Sequence, residues 1–243
     1  VYEKLGRDDP LYAVLSYRHL QHNQWDADEF FATGEGEIAA LFEYVEGLGL
    51  DFGRDRALDF GCGVGRLSQA LADRFERVVG VDIAASMIDR ARAFNRHAER
   101  VEYIVNTRDD LSILGDRRFD FIYSNLTLQH IPPEHGERYI REFFRVLRPG
   151  GVAIFQVPSG RPYRPGSLRA RLYQLRRHHL RQLRKRLTGR PPVEIHYIAR
   201  QRVEALIESC GARLVDVVPV GRSGGSGRNF RYCAIQSESP PQT

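Results

Sequence analysis

Three glycines at alternate positions form the spacing in this sequence that is most informative about chemistry. Residues 57–65 read ALDFGCGVG, so that Gly61, Gly63 and Gly65 follow an acid, Asp59. Glycine has no Cβ, and its backbone can adopt a positive φ while a ligand approaches closely. A helical pattern begins at Arg66, and free backbone N–H groups at a helix start are suited to binding a ligand. The segment therefore predicts a ligand-binding loop between a strand and a helix, the alternative being a glycine turn without a ligand.

The spacing restricts which ligand the loop is expected to take. A dinucleotide fingerprint has its third glycine five positions after the first, whereas here the interval is four and Arg66 occupies the next position. A phosphate-binding P-loop needs a lysine and a serine or threonine after its last glycine, and neither is present. An acid such as Asp59 would repel a pyrophosphate. It favours a ligand that carries a cationic amine.

A second acid follows the next apolar run. Residues 77–82 read RVVGVD and end in Asp82, about 20 residues past the glycine loop. A carboxylate at the tip of that strand can accept hydrogen bonds from both hydroxyls of a ribose. Asp82 also fits a second role, as the N-cap of a helix predicted over 84–95.

The D-x-G-x-G-x-G pattern, together with FDFIYSNLTLQHI and FFRVLRPGGVAIFQVP, resembles the class I (Rossmann-like) S-adenosylmethionine-dependent methyltransferases over residues 55–158. The resemblance implies S-adenosyl-L-methionine as cofactor. No residue is predicted as a metal ligand, and the three cysteines lack metal-ligand spacing. In this family an acid after the third strand contacts adenine, but Thr107 occupies that position here, which leaves Asn106 or Asp110. The cofactor-binding residues implied are Asp59, Gly61, Cys62, Gly63, Gly65, Arg66, Asp82, Ile83, Met87, Asn106, Asp110, Leu111, Asn125 and Gln129.

The resemblance also places the tip of the fourth strand beside the transferable methyl group. His130 follows that strand, and a neutral imidazole is suited to removing a proton near pH 7. His130 is therefore the predicted catalytic base, with a purely structural hydrogen bond as the alternative. His196 is the second candidate, since its segment can fold back over the cleft.

Strand and helix patterns alternate through residue 158 and predict the fold class. This is an α/β fold with a doubly wound, mostly parallel seven-stranded sheet, a final antiparallel strand, helices on both faces and a basic helical insert. The predicted division of the chain is an aromatic-rich cap segment (1–35), a cofactor-binding core (36–160), an arginine-rich helical insert (161–192), the C-terminal part of the sheet (193–236) and a disordered tail (237–243). Within the first part, separate helices are expected over 26–34 and 37–48.

Basic charge is concentrated in the insert. The chain has a net charge of +5, but residues 161–190 hold 11 Arg or Lys and no acid, and the rest carries 25 basic and 31 acidic residues. A basic amphipathic helix predicts an anionic partner, either a membrane surface or a phosphorylated substrate. Nucleic acid is the weaker candidate, because few aromatic residues are interleaved. The remaining interpretation is a solvated helix docked on the acidic core.

Length and composition restrict the class of protein to which this chain is expected to belong. The 243 residues suit one large domain, and no apolar stretch approaches the roughly 20 residues of a membrane span. Three scattered cysteines and no signal peptide favour a cytoplasmic location, with peripheral membrane association through the insert. The predicted function is O-methylation of a small hydroxylated metabolite or sugar. The alternatives are a nucleic-acid methyltransferase and a catalytically silent subunit.

Overall fold

One seven-stranded sheet organises the chain. A computed structural model describes residues 1–159, 194–222 and 228–237. The strands are β1 Arg56–Phe60, β2 Arg77–Asp82, β3 Val101–Val105, β4 Phe119–Ser124, β5 Leu147–Ser159, β6 Ala212–Arg222 and β7 Arg228–Gln236. Their order is β3-β2-β1-β4-β5-β7-β6, with β1 to β5 parallel and β7 antiparallel to both of its neighbours. The predicted fold class is confirmed for the sheet.

Helices cover both faces of this sheet, which explains why the central strands are apolar on both sides. The helices are α1 Tyr2–Asp8, α2 Pro10–Val14, α3 Ala27–Gly47, α4 Arg66–Leu71, α5 Ala85–Phe94, α6 Pro133–Val146 and α7 Arg200–Ser209. Side chains of α3, α4 and α5 share one buried cluster with alternate strand residues, and those of α6 and α7 share the other. The strand order reverses between β1 and β4, and ligands in such sheets bind outside the carboxyl ends of the strands at that point.

The prediction of two separate helices over 26–34 and 37–48 is wrong. Helix α3 runs unbroken through Gly34 and Gly36. Asp26 caps its N-terminus by accepting a hydrogen bond from the Glu29 N–H at 3.0 Å. Gly34 serves packing, because a Cβ there would lie 2.5 Å from the backbone oxygen of Arg66 on α4. The boundary expected between residues 35 and 36 therefore falls inside a helix.

The first 14 residues lie over the carboxyl ends of β1 and β2. Helix α1 packs on α5, where the Ser86 hydroxyl donates to the backbone oxygen of Glu3 at 2.8 Å. The Tyr2 ring lies 5.4 Å from the His130 ring, measured between centroids. A Cβ on Gly63 would lie 2.9 Å from the Val14 side chain. These contacts put α1 and α2 beside the glycine loop.

Several predictions concern parts of the chain that the structure does not describe. The arginine-rich helix expected over 161–192 and residues 238–243 of the expected tail lie outside the described residues. Among the helices that are described, none is long and apolar enough to cross a membrane.

Candidate functional site

The glycine loop joins the end of β1 to α4 in the conformation that its residue types allow. Gly61, Gly63 and Gly65 all have a positive φ, at 78°, 54° and 84°. The backbone N–H groups of Gly61 and Cys62 both donate to the Val81 oxygen, at 2.7 and 3.0 Å, which fixes the loop to β2. A Cβ on Gly61 would lie 2.2 Å from the Thr127 side chain. The loop therefore combines left-handed backbone with a close approach that other residues would obstruct.

Asp82, at the end of β2, binds the glycine loop through its carboxylate. Its Oδ2 accepts from the Gly63 N–H at 3.0 Å, and its Oδ1 accepts from the Ala84 N–H at 2.9 Å. The Ile83 N–H also interacts with this carboxylate, and the lone pairs that these N–H groups leave free can accept from a vicinal diol. Burial raises the pKa of Asp82, while the N–H groups of Ala84 and Gly63 oppose that shift. The N-cap alternative is wrong, since Ala84 is the N-cap of α5.

Two apolar residues predicted to contact the cofactor lie next to Asp82 in the chain. The Ile83 side chain is exposed, with 62% of its surface accessible. Met87 is buried, and a Cβ on Gly6 of α1 would lie 3.2 Å from its Cγ. Ile83 therefore offers open apolar surface at the tip of β2, whereas Met87 is covered by α1.

The polar residues predicted to lie near adenine, Asn106 and Asp110, make hydrogen bonds within their own loop. The Asn106 amide donates to the Asp110 backbone oxygen at 2.7 Å, and its Oδ1 accepts from the Arg108 N–H at 3.1 Å. The Asp110 carboxylate accepts from the N–H and the hydroxyl of Ser112, which hold its pKa below the usual range. Leu111 is fully buried and its N–H donates to Glu142 at 2.8 Å. The adenine contact stays a prediction.

His130 lies on a short 3₁₀ turn, Leu128–His130, just after β4. Its Nδ1 lies 3.1 Å from the backbone oxygen of Glu194, and because a carbonyl only accepts, Nδ1 carries the proton. Its Nε2 then accepts from the Gln129 amide nitrogen at 3.0 Å. Burial is the main cause that lowers the pKa of His130, with nearby His196 as a smaller one. The ring is therefore neutral at pH 7, as the predicted base must be.

The segment 194–199 brings the second predicted histidine to the same edge. The His196 N–H donates to the Gln129 oxygen at 2.7 Å, and the Ile198 N–H donates to the Pro158 oxygen at 3.1 Å. The segment thus follows the end of β5 and the turn that carries His130. His196 and His130 are neighbours, although their sequence separation is 66 residues.

Asp59 lies beneath the glycine loop. Only 1% of its surface is accessible, and its Oδ2 accepts from the Ser68 hydroxyl of α4 at 2.6 Å. Burial raises the pKa of Asp59 to about 7, although the Ser68 hydrogen bond and the charge of Arg66 oppose that shift. Its predicted contact with the cofactor amine stays a prediction.

This burial gives Asp59 a testable effect on stability. The folded state holds its proton up to a pKa of about 7, whereas the unfolded chain releases it near 3.8. The free energy of unfolding should therefore fall as pH rises through this window. Asp59→Asn removes the ionisation and still accepts from Ser68, so we expect it to stabilise the protein by about 1–3 kcal/mol at pH 8 and much less at pH 4.

Urea unfolding of both proteins at the two pH values measures this difference. Asp89→Asn is the matched control, because Asp89 is an exposed acid on α5. A stability difference between wild type and Asp59→Asn that does not change with pH contradicts the assignment of the raised pKa to Asp59.

Glu37, which the sequence did not single out, contacts two of the predicted site residues, Asn125 and Arg66. Its Oε1 accepts from the Tyr123 hydroxyl at 2.9 Å and from the Asn125 amide at 2.7 Å. Its Oε2 accepts from the Arg66 guanidinium at 2.6 Å, and the Arg66 side chain is only 4% accessible. Its partners lie 29 to 88 positions away in sequence, so helical periodicity gave no signal for this role.

The structure thus gathers most of the predicted residues at one edge of the sheet. The glycine loop and Asp82 lie at the ends of β1 and β2, and Asn125, Gln129 and His130 follow β4. Leu126, between Asn125 and the 3₁₀ turn, has a φ of 59°, a conformation that is uncommon outside glycine and is frequent at functional sites. The arrangement can hold a nucleoside at β2 and present a neutral imidazole beside β4.

Comparisons with known proteins bear on the family and the fold of this chain. Residues 58–155 match the family model described as a methyltransferase domain. A ubiquinone biosynthesis O-methyltransferase of Coxiella burnetii is 39% identical over 101 residues, which make up 40% of this chain and 41% of that protein. A trans-aconitate 2-methyltransferase of Variovorax paradoxus is 36% identical over 113 residues, or 44% of this chain and 39% of that protein. The match therefore spans at most 41% of the length of either relative.

A solved structure shares the fold over a larger part of the chain. The magnesium protoporphyrin IX methyltransferase of Synechocystis PCC 6803, crystallised with bound SAH, has a TM-score of 0.59 at 17% identity. The similarity covers 90% of this chain and 92% of that one. At this level of identity the likeness concerns the fold.

Proposed function

Because residues 58–155 belong to the class I S-adenosylmethionine-dependent methyltransferases, we propose that the protein transfers a methyl group to an oxygen atom of a small molecule. The cofactor is S-adenosyl-L-methionine, as the sequence predicted. The small hydroxylated acceptor and the roles of the individual residues are parts of the proposal.

The observation that carries the choice of oxygen is the neutral His130 after β4. A hydroxyl is a poor nucleophile near neutral pH, and its proton must move to a positioned base as the methyl group arrives. His130 has its Nδ1 proton held by the Glu194 oxygen, which leaves Nε2 as the basic nitrogen. The relatives named above, an O-methyltransferase and a methyltransferase of trans-aconitate, support an oxygen acceptor.

The fit to the cofactor rests on atoms of this chain. Asp82 offers its carboxylate to a ribose, and the Gly63 N–H bonded to that carboxylate places the glycine loop directly beside it. When bound, S-adenosyl-L-methionine supplies an electrophilic methyl carbon with a neutral thioether as its leaving group. The chain then has to align the acceptor, exclude water and take up one proton.

The proton is proposed to pass from the acceptor hydroxyl to Nε2 of His130. The Gln129 amide occupies that nitrogen in the structure, so the hydroxyl must displace it. The resulting imidazolium keeps its Nδ1–H on the Glu194 oxygen, which stabilises the charged form. His130 then returns the proton to water after the product leaves.

A turnover assay tests this function. Purified protein is incubated with S-adenosylmethionine that is labelled in the methyl group, and with panels of phenols, sugars, carboxylic acids and amines. Label that enters a hydroxyl or carboxylate compound supports the proposal, and label that enters only amines contradicts it. Labelled RNA would favour the nucleic-acid alternative. Cofactor binding without transfer to any panel would favour the silent subunit.

A further inference from the structure

We propose that Glu37 is a positioning residue that fixes the side-chain amide of Asn125, so that the Asn125 oxygen accepts a hydrogen bond from the ammonium group of the cofactor. This inference rests on the proposed function, because it concerns the same site. It assigns a role to α3, a helix that precedes residues 58–155, the part that matches the family model.

The orientation of the Asn125 amide follows from the chemistry of its partner. Carboxylate oxygens of an ionised Glu37 only accept hydrogen bonds, so the amide must turn its NH₂ group towards Oε1, at 2.7 Å. The Asn125 amide oxygen is on the opposite side of the same planar group and therefore points away from Glu37. Within the described residues, no hydrogen bond to that oxygen is made. It is an acceptor at the tip of β4 that remains for a ligand with a donor.

Glu37 is itself held in place by two further partners. Oε1 also accepts from the Tyr123 hydroxyl at 2.9 Å, and Oε2 accepts from the Arg66 guanidinium at 2.6 Å. Arg66 is the first residue of α4, directly after the glycine loop, and Tyr123 lies near the end of β4. The Glu37 carboxylate therefore links the loop that follows β1 to the end of β4, the two strands between which the strand order reverses. Rotation of the Glu37 side chain would break three hydrogen bonds.

The ligand group that suits this acceptor is cationic. Glu37 and Asp82 lie close enough to Asp59, beneath the glycine loop, for their charges to raise its pKa, and the charge of Arg66 opposes them. An ammonium donor gains both the hydrogen bond to Asn125 and the attraction of the Glu37 and Asp82 carboxylates, whereas a carboxylate at the same place would be repelled. The amino-acid end of S-adenosylmethionine carries such an ammonium.

The test separates the amino-acid end of the cofactor from its adenosine end. Calorimetry is run with S-adenosylmethionine and with 5′-methylthioadenosine, which keeps the nucleoside and lacks the amino-acid group. We expect Glu37→Gln to weaken S-adenosylmethionine binding by about tenfold, because a glutamine amide can turn the Asn125 amide around. Affinity for 5′-methylthioadenosine should change by less than about twofold. Glu35→Gln, an exposed acid two positions earlier on α3, should change neither affinity.

Asn125→Leu provides a second variant, because it leaves the contacts of Glu37 with Arg66 and Tyr123 in place. It should show the same selective loss, and the double variant Glu37→Gln/Asn125→Leu should lose little more than either single variant. Unchanged S-adenosylmethionine affinity in the single variants overturns the inference. Equal losses for both ligands also overturn it, since they indicate a structural role. Failure of the wild-type protein to bind S-adenosylmethionine would instead refute the proposed function.

Discussion

Replacing His130 with alanine should lower kcat by about 10²–10⁴, because the acceptor proton then loses its positioned base. Affinity for S-adenosylmethionine should change far less than kcat, since the contacts of the ring with described residues are to Gln129, Glu194 and Tyr2 and not to Asp82 or the glycine loop. Single-turnover rates and calorimetry on the same preparations measure the two quantities separately. Loss of turnover with intact cofactor binding is the expected result.

His196→Ala and His135→Ala are the comparison variants. His196 lies beside His130 and is the second candidate for the base, whereas His135 is a half-exposed residue on α6. We expect His135→Ala to retain full turnover. If His130→Ala keeps most of its turnover while His196→Ala loses it, the base comes from segment 194–199. If neither histidine matters, an acceptor more nucleophilic than an alcohol becomes the better proposal.

The pH profile gives a further check on the same assignment. Burial lowers the pKa of His130 below its ordinary value of 6.5, so the neutral, active form gains population at lower pH than in a free imidazole. Turnover should therefore rise with pH, through an apparent pKa below 6.5, and be level above pH 7. A limb that rises only above pH 7 would assign the proton transfer to another group.

The central sheet could be predicted from sequence because each strand has a local signature. Short apolar runs such as those ending at Phe60 and Ser124, each interrupted by one acid, are typical of strands buried on both faces. Helix α6 shows its inner face at helical spacing. Helix α3 could not be predicted correctly, since Gly34 resembles a helix stop when it is considered alone. Glycine is needed at position 34 because of tertiary packing, since the Arg66 backbone passes where a Cβ would be. Local propensity is a weak guide wherever another helix approaches that closely.

The residues of the candidate site also divide into those that the sequence could predict and those that it could not. The glycine loop and Asp82 could be predicted from spacing, because the role proposed for them depends on backbone geometry encoded within a few residues. Glu37 was missed, since its importance arises from three partners brought together by the fold. Asn106 and Asp110 were named for adenine by analogy, but the structure gives their polar atoms to the backbone and side chains of their own loop. Hydrogen-bond partners that depend on loop conformation are not visible in a sequence.

We expect Asp82→Ala to weaken S-adenosylmethionine binding by about ten- to a hundredfold. The variant removes a charged acceptor for two ribose hydroxyls, and hydrogen bonds to a charged group contribute about 1.5–3 kcal/mol. It also leaves the Gly63 and Ala84 N–H groups without their acceptor, so the loop itself should loosen. Asp82→Asn keeps the shape and can still accept one of these bonds, and its loss should be smaller.

A ligand lacking one hydroxyl separates the ribose contact from loop loosening. Calorimetry compares S-adenosylhomocysteine with its 2′-deoxy counterpart in wild type, in Asp82→Ala and in the surface control Asp89→Ala. If Asp82 binds the ribose, wild type and Asp89→Ala should prefer the natural ligand several-fold, and Asp82→Ala should lose that preference because the hydroxyl no longer has its partner. A preference that survives in Asp82→Ala would place the ribose elsewhere and reduce Asp82 to a support for the glycine loop.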